Sequence, residues 1–223
     1  MKLIYYNLSL EINLRTSELN YWIIENADQL DKMIQAVDNR FHKKESNIEL
    51  FEDTDKLDFT KLVDLIYSPI DVTYDKKDIQ KHLLSELLEE VQSSEIVEKF
   101  IAAKVRLIDA IDDLRSCTEY DLDLDENIGT DNLLKSFDVR LKGPEGRFIE
   151  RVIEYIENMH RLLGKKIFIL VGCKGYFKES DYRYIRECAE YQGVYILFIE
   201  ASQYKLPDDG NKYIIDEDLC ELH

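Results

Sequence analysis

The sequence predicts an α/β fold in which a head lobe with a mainly parallel sheet is interrupted by an α-helical leg. Three observations predict it. Residues 167–171 (Ile-Phe-Ile-Leu-Val) and 194–199 (Val-Tyr-Ile-Leu-Phe-Ile) are continuous apolar runs, as central strands covered on both faces are. A helical stretch closed by Gly193 separates them, and strand–helix–strand at this length is a right-handed parallel crossover. Between residues 75 and 114 there is no Gly or Pro, and apolar residues recur every three or four positions. The chain thus divides into a head of residues 1–68 and 137–223 and a leg of residues 69–136.

In chain order, Leu3, Tyr5, Leu8, Leu10 and Ile12 alternate in part with polar residues and predict two short strands or a hairpin turning near Asn7. Tyr21-Trp22-Ile23-Ile24 reads as a buried strand. Asn26 or Asp28 can cap the helix that follows, with Leu30, Met33, Ile34 and Val37 on its apolar face. That helix ends near Arg40 in the basic loop Arg40-Phe41-His42-Lys43-Lys44, and Ile48-Glu49-Leu50-Phe51 is the next strand. Residues 58–67 predict an amphipathic helix stopped by Ser68-Pro69, since proline disfavours helix in the residue before it.

In the leg, Ile79, Leu83, Leu84, Leu87, Leu88 and Val91 make one stripe, and Ile96, Phe100, Ile101, Val105, Ile108 and Ile111 belong to another. Ser93-Ser94 breaks the two, so the helices should pack as an antiparallel hairpin covered by something else. Leu133-Leu134 ends a short helix, and Val139-Arg140-Leu141 is a strand candidate. Lys142-Gly143-Pro144-Glu145-Gly146 makes a turn, with Pro144 and Glu145 suited to the first turn of a helix closed by Gly164. Tyr213-Ile214-Ile215 is a last short strand.

Composition narrows the function. With 45% hydrophobic and 34% charged residues in 223, the chain is a charge-rich globular protein with no membrane-length apolar run and no signal-peptide pattern. Cys117, Cys173, Cys188 and Cys220 are far apart and form no Cys-x-x-Cys pair, which suits buried thiols in a reducing cytoplasm. The net charge of −17 argues against nucleic acid at face value, but binding reads local potential, and a basic patch on an acidic body survives that objection.

Nucleotide and hydrolase motifs are missing. The loop after the strand 167–171, Gly172-Cys173-Lys174-Gly175, is too short for a P-loop and no Ser or Thr follows its lysine. There is no Gly-x-Ser-x-Gly elbow, and His42, His82, His160 and His223 have no zinc-site spacing. The aromatics fall mostly at core spacings.

The stretch at residues 119–131 remains. It interleaves Glu119, Asp121, Asp123, Asp125, Glu126 and Asp131 with Tyr120, Leu122 and Leu124, at the joint between the leg and the resumed head. Carboxylates this close repel one another unless they fan into water or share a hard cation. The run is not an EF-hand, because its sixth position is Glu126 and its twelfth Asn132. In a strand, Asp121, Asp123 and Asp125 would project to one face. A solvated loop and an ion site both fit, as does a metal-dependent nuclease, although nuclease acids usually converge from separate segments.

Several segments together resemble a known family. Leu10-Glu11-Ile12-Asn13-Leu14, the run 120–126, Phe137-Asp138-Val139-Arg140-Leu141, the strand 167–171 followed by Tyr176-Phe177, and Leu197-Phe198-Ile199-Glu200 with Gln203 occur in the order and spacing of one family. The chain resembles the type II-A CRISPR accessory adaptation protein, the short form of the Csn-two family, over nearly its full length. The resemblance implies a P-loop-ATPase-like head without nucleotide motifs and a homotetrameric ring held in shape by calcium. It implies sequence-independent binding and threading of double-stranded DNA ends during spacer acquisition, beside the CRISPR integrase complex and the effector nuclease, with no catalytic activity. The ion role is carried onto Glu119, Asp121, Asp123, Asp125 and Glu126. For the DNA surface the candidates are Lys43, Lys44, Lys142, Arg147, Lys174 and Lys178. A non-catalytic protein–protein adaptor is the remaining alternative.

Overall fold

Two strands buried at every position set the architecture of this computed structural model, which describes residues 1–222: β3 (Asn20–Ile24) and β7 (Ile167–Val171). Together with β8 (Tyr195–Glu200) they have no face left for water, so layers must cover them on both sides. They lie in a six-stranded sheet in the order β10-β9-β3-β8-β7-β6, with β6 at Val63–Ile66, β9 at Asn211–Ile215 and β10 at Glu221–Leu222. Every neighbouring pair from β9 to β6 is parallel, and only β10 runs antiparallel at its edge.

A second sheet, β2-β1-β4-β5, is wholly antiparallel. It comprises β1 (Lys2–Tyr5), β2 (Leu10–Asn13), β4 (Ile48–Glu52) and β5 (Asp55–Leu57). Its inward residues Leu3, Tyr5, Ile12, Ile48 and Leu50 join Met33 and Val37 of α1 (Ala27–Phe41) in one cluster with Trp22, Ile169 and Leu197 of the large sheet. The opposite face of the large sheet meets α6 (Phe148–Leu163) and α7 (Glu179–Gln192). There Tyr182 of α7 packs 5.5 Å from Phe198, and the Tyr155 hydroxyl of α6 donates to buried Asp64 on β6 at 2.6 Å.

Local chemistry places the helix ends. Asn26 accepts from the Gln29 amide at the start of α1. Both α6 and α7 begin with an acid at the third helical position, Glu150 and Asp181, accepting from the amide of the residue before the helix. Both close on a left-handed glycine, Gly164 and Gly193.

Two compact units result. One comprises Met1–Thr73 and the chain from Gly143, and the other is Tyr74–Lys142. The second unit holds α3 (Lys77–Ser93), α4 (Ile96–Ser116) and α5 (Thr130–Ser136), and α3 touches both of the others. Within it α3 buries Ile79, Leu83 and Val91, whereas α4 buries no residue in 21. The break at Ser93-Ser94 is where the sequence puts it.

Four expectations need correction, the first being the buried thiols: Cys173 is buried, but Cys188 is half-buried and Cys117 and Cys220 are exposed. Residues 58–67 are not one helix: α2 (Phe59–Leu62) stops after one turn and β6 follows. Val63, Leu65 and Ile66 suit either period, and pairing with β7 decides for strand. The segment Val139-Arg140-Leu141 forms no strand; Phe137 and Val139 are exposed, and no neighbouring strand pairs with the segment. Helix α6 starts at Phe148 and not at Pro144, because the Arg147–Glu150 cap lies further along.

Gly210 shows how closely the loop before β9 fits. Its φ is +123°, and a Cβ there would lie 2.6 Å from the Tyr21 ring and 2.8 Å from the Leu19 carbonyl oxygen. Backbone strain and overpacking act together, so Gly210→Ala is expected to destabilise the fold by about 1–3 kcal/mol. A lowered denaturant midpoint with an unchanged slope checks this.

Candidate functional site

In open parallel sheets, ligands collect at the carboxyl ends of strands where successive connections leave in opposite directions. Here those strands are β3, whose connection travels to β6, and β8, whose connection passes β3 to reach β9. Neither end offers a phosphate cradle. After β3 the chain runs Glu25-Asn26, with the Glu25 amide donating to Ile215 and the Asn26 side chain occupied as a cap and a donor to Glu217.

At the next strand ends an internal carboxylate takes the available amides. Glu200, buried at the end of β8, accepts from the Lys174 amide at 2.8 Å, with the Cys173 amide beside it. The Lys174 ammonium donates to the carbonyl and hydroxyl of Ser202 at 2.7 and 2.6 Å. One lysine thus ties the turn after β7 to the loop after β8. Burial pushes the Glu200 carboxyl above the usual glutamate range, with the two amides and the Lys174 charge pulling the other way. Burial, then the nearby Glu200 charge, also pushes the Cys173 thiol up to about 12, so it is un-ionised at neutral pH. An acid ending the apolar run of β8 is the sequence signal for this lock.

The basic candidates occupy different places. Lys43 and Lys44 are exposed in the turn after α1, and Lys43 adopts a left-handed conformation with φ 59°. Lys142 is exposed in the second unit. Arg147 and Lys178 are brought together: each precedes a helix, and both line a groove of about 300 Å³ with Phe148, Tyr176 and Asp181. Phe148 and Tyr176 meet edge to face at 5.3 Å on its wall. Arg147 is ion-paired with Glu150 at 2.9 Å, so part of its charge is compensated locally.

The acidic candidates are all exposed. Residues 121–129 have no regular structure, so the alternation that a strand would impose on Asp121, Asp123 and Asp125 is absent. Asp123 accepts from the Leu124 amide and Asp125 from the Asn127 amide, each at 2.9 Å. Glu119, Asp121, Asp123, Asp125 and Glu126 enter no ion pair among the described residues, while Asp131 pairs with Lys135 at 2.8 Å. No three acid, histidine or cysteine side chains among the described residues converge as a metal cage. The donor chemistry, oxygen only, suits a hard cation, but a cation would have to gather the ligands.

Sequence reading missed a cavity of about 890 Å³ in the first unit, beside the start of α7 and the loop before β9. Its lining residues come from three separated segments, so no spacing announces it.

The buried carboxyl generates a pH prediction. A group that holds its proton more tightly folded than unfolded makes stability fall as pH rises from the ordinary glutamate range through its raised value. Glu200→Gln keeps an oxygen for the Lys174 amide and should flatten that fall, read as thermal midpoint against pH.

The sequence model of the family described as CRISPR-associated protein (Cas_Csn2) matches residues 40–219, well over half of the chain, spanning α4, the acidic stretch and strands β6, β7, β8 and β9 of the large sheet. No helix among the described residues is long and apolar enough to cross a membrane. The chain belongs to the CRISPR-associated Cas_Csn2 family.

Proposed function

We propose that this chain assembles as a calcium-stabilised homotetrameric ring that binds ends of double-stranded DNA without sequence preference and threads along it during CRISPR spacer acquisition. It does so in the cytoplasm, beside the integrase complex and the effector nuclease, and performs no chemistry on the DNA. Family membership supports the CRISPR role. The assembly rests on one observation: α4 keeps Val97, Phe100, Ile108 and Ile111 half-buried but leaves five other large apolar residues exposed.

Ile96, Leu107 and Leu114 are 42–57% exposed, and Ile101 and Val105 are 59% and 51% exposed. At about 100° per residue the first three fall on one side of the helix and the other two on another. A helix left apolar on two sides is costly in water and is what a bundle shared by several chains presents. Copies of this chain are the occupants proposed, in closed symmetry.

Calcium acts where charge is crowded. Glu119, Asp121, Asp123, Asp125 and Glu126 would hold it, and its charge would relieve their mutual repulsion beside α4. Threaded DNA would meet Lys43, Lys44, Lys142, Arg147, Lys174 and Lys178, with Lys174 contributing through the turn it holds in place. The acidic remainder keeps separate assemblies apart. In the first unit, strand order and crossovers support a P-loop-ATPase-like head whose phosphate positions are taken over by Glu25, Asn26 and Glu200.

Two measurements test this. Mass by light scattering should be four times the 26.4 kDa chain in calcium and smaller in chelator, and Asp123→Asn with Asp125→Asn should abolish the difference. Salt-sensitive retention should favour linear over covalently closed duplex; equal retention of the two excludes threading, and cleavage of DNA in magnesium or manganese would replace this reading with a nuclease.

A further inference from the structure

The groove of about 300 Å³ in the first unit lies at the carboxyl edge of the large sheet, where open α/β sheets bind their ligands. Helix α6 leads into β7 and α7 follows it, so the starts of both helices and the turn after β7 meet there. Arg147 and Phe148 come from the start of α6, Lys178 and Asp181 from the start of α7, and Tyr176 from the turn.

Its aromatic wall is within reach of a ligand. Phe148 is 38% exposed, and Tyr176 beside it is half-buried. Their edge-to-face contact at 5.3 Å holds the Phe148 ring in place while leaving it open to solvent. An open aromatic ring beside a groove is a stacking surface for a planar group.

Polar groups stand around this wall. Asp181 is 8% exposed and lines the groove, and its Oδ2 accepts from the Lys178 amide at 2.9 Å. Its Oδ1 has no hydrogen-bond partner among the described residues and is not sealed from solvent. A carboxylate oxygen on so buried a side chain calls for a donor. At the rim Lys178 is exposed, and its ammonium enters no ion pair among the described residues, whereas Arg147 shares its charge with Glu150.

These features select one ligand class. The wall takes a flat ring, the rim cations take an anion, and Oδ1 takes an N–H at the edge of the ring. A nucleotide whose base carries an amino group satisfies all three. Phosphate alone leaves the wall and Oδ1 unused. Thymine fits poorly, because its one ring N–H sits between two carbonyl oxygens that oppose a carboxylate. The groove is at the small end of ligand sites, so it suits a single nucleotide and not a duplex.

We propose that this groove binds one unpaired nucleotide with an amino base. The base lies against Phe148, its amino N–H donates to Asp181 Oδ1, and its phosphate lies between Lys178 and Arg147. The inference rests on the DNA-end reading only for the source of the nucleotide, an unpaired residue at a duplex terminus. Binding of the duplex itself stays indifferent to sequence.

Amide-resolved NMR titration of the full chain in chelator, with dAMP, dGMP, dCMP, dTMP and unphosphorylated deoxyadenosine, tests the site. The three amino nucleotides should shift amides at residues 146–149 and 176–181 saturably, about five-fold more tightly than dTMP. Lys178→Gln should bring dAMP affinity down toward that of deoxyadenosine, and Phe148→Ala should weaken dAMP about ten-fold. Asp181→Asn keeps an oxygen for the Lys178 amide and turns an N–H to the groove, so dTMP should become the preferred nucleotide. A merely structural role for Asp181 would weaken all four alike. No saturable shifts at these residues, equal affinity for dTMP and the amino nucleotides, or an unchanged preference in Asp181→Asn would each overturn the proposal. Mononucleotides need no assembly, so failure of the ring reading leaves these results unchanged. A duplex with one unpaired adenine at each end should outbind its blunt counterpart about three-fold, and Phe148→Ala should remove that advantage. Nucleotide binding without an advantage for the overhang would overturn the terminus as the source and assign the groove to free nucleotides.

Discussion

The need to cover a parallel sheet on both faces is the constraint on which the rest of this molecule depends. Strands as apolar as β3, β7 and β8 cannot leave either side to water, and the chain meets this with two different layers. One face takes the antiparallel sheet and α1; the other takes α6 and α7. Because α7 crosses from β7 to β8 on the second face, its first turn lies at the carboxyl ends of the strands. There Arg147 and Lys178 share a groove, and Glu200 reaches the amides of the turn after β7.

At the same edge, internal groups occupy the backbone amides and the lysine at the strand ends. Amides that could cradle an anion receive Glu200, and a lysine that could meet a phosphate meets Ser202. The buried charge costs stability, and the lock it forms fixes two strand ends relative to each other. The second unit has the opposite character. Its α4 has no buried residue, and the acids beyond it are exposed and uncaged.

Much of the fold was legible in the residues, and the reasons are physical. The hairpin of β1 and β2, the strands β3, β4, β7, β8 and β9, and the breaks at Ser93-Ser94, Gly164 and Gly193 carry strong local signals. Strand β6 did not, because Val-Asp-Leu-Ile reads equally as a helical turn until β7 pairs with it. Neither did the failure of Val139-Arg140-Leu141 to form a strand, which depends on the lack of a neighbour. For the candidate site, the sequence singled out the acids of residues 119–126 and, among the bases, Arg147 and Lys178. It could not show that those two bases share a groove, that Lys174 is held by Ser202, or that Tyr21 underlies a cavity. Each of these is a long-range juxtaposition with no local pattern.

In the proposed ring, other copies of the chain cover the exposed sides of α4 when calcium neutralises the acids beside it. Amide hydrogen exchange of the protein in calcium and in chelator, resolved by segment, tests this most directly. Strong calcium-dependent protection concentrated in α4 (Ile96–Ser116) and the acidic stretch after it is expected, with β3, β7 and β8 slow in both conditions. Exchange in α4 at the same rate with and without calcium would contradict it.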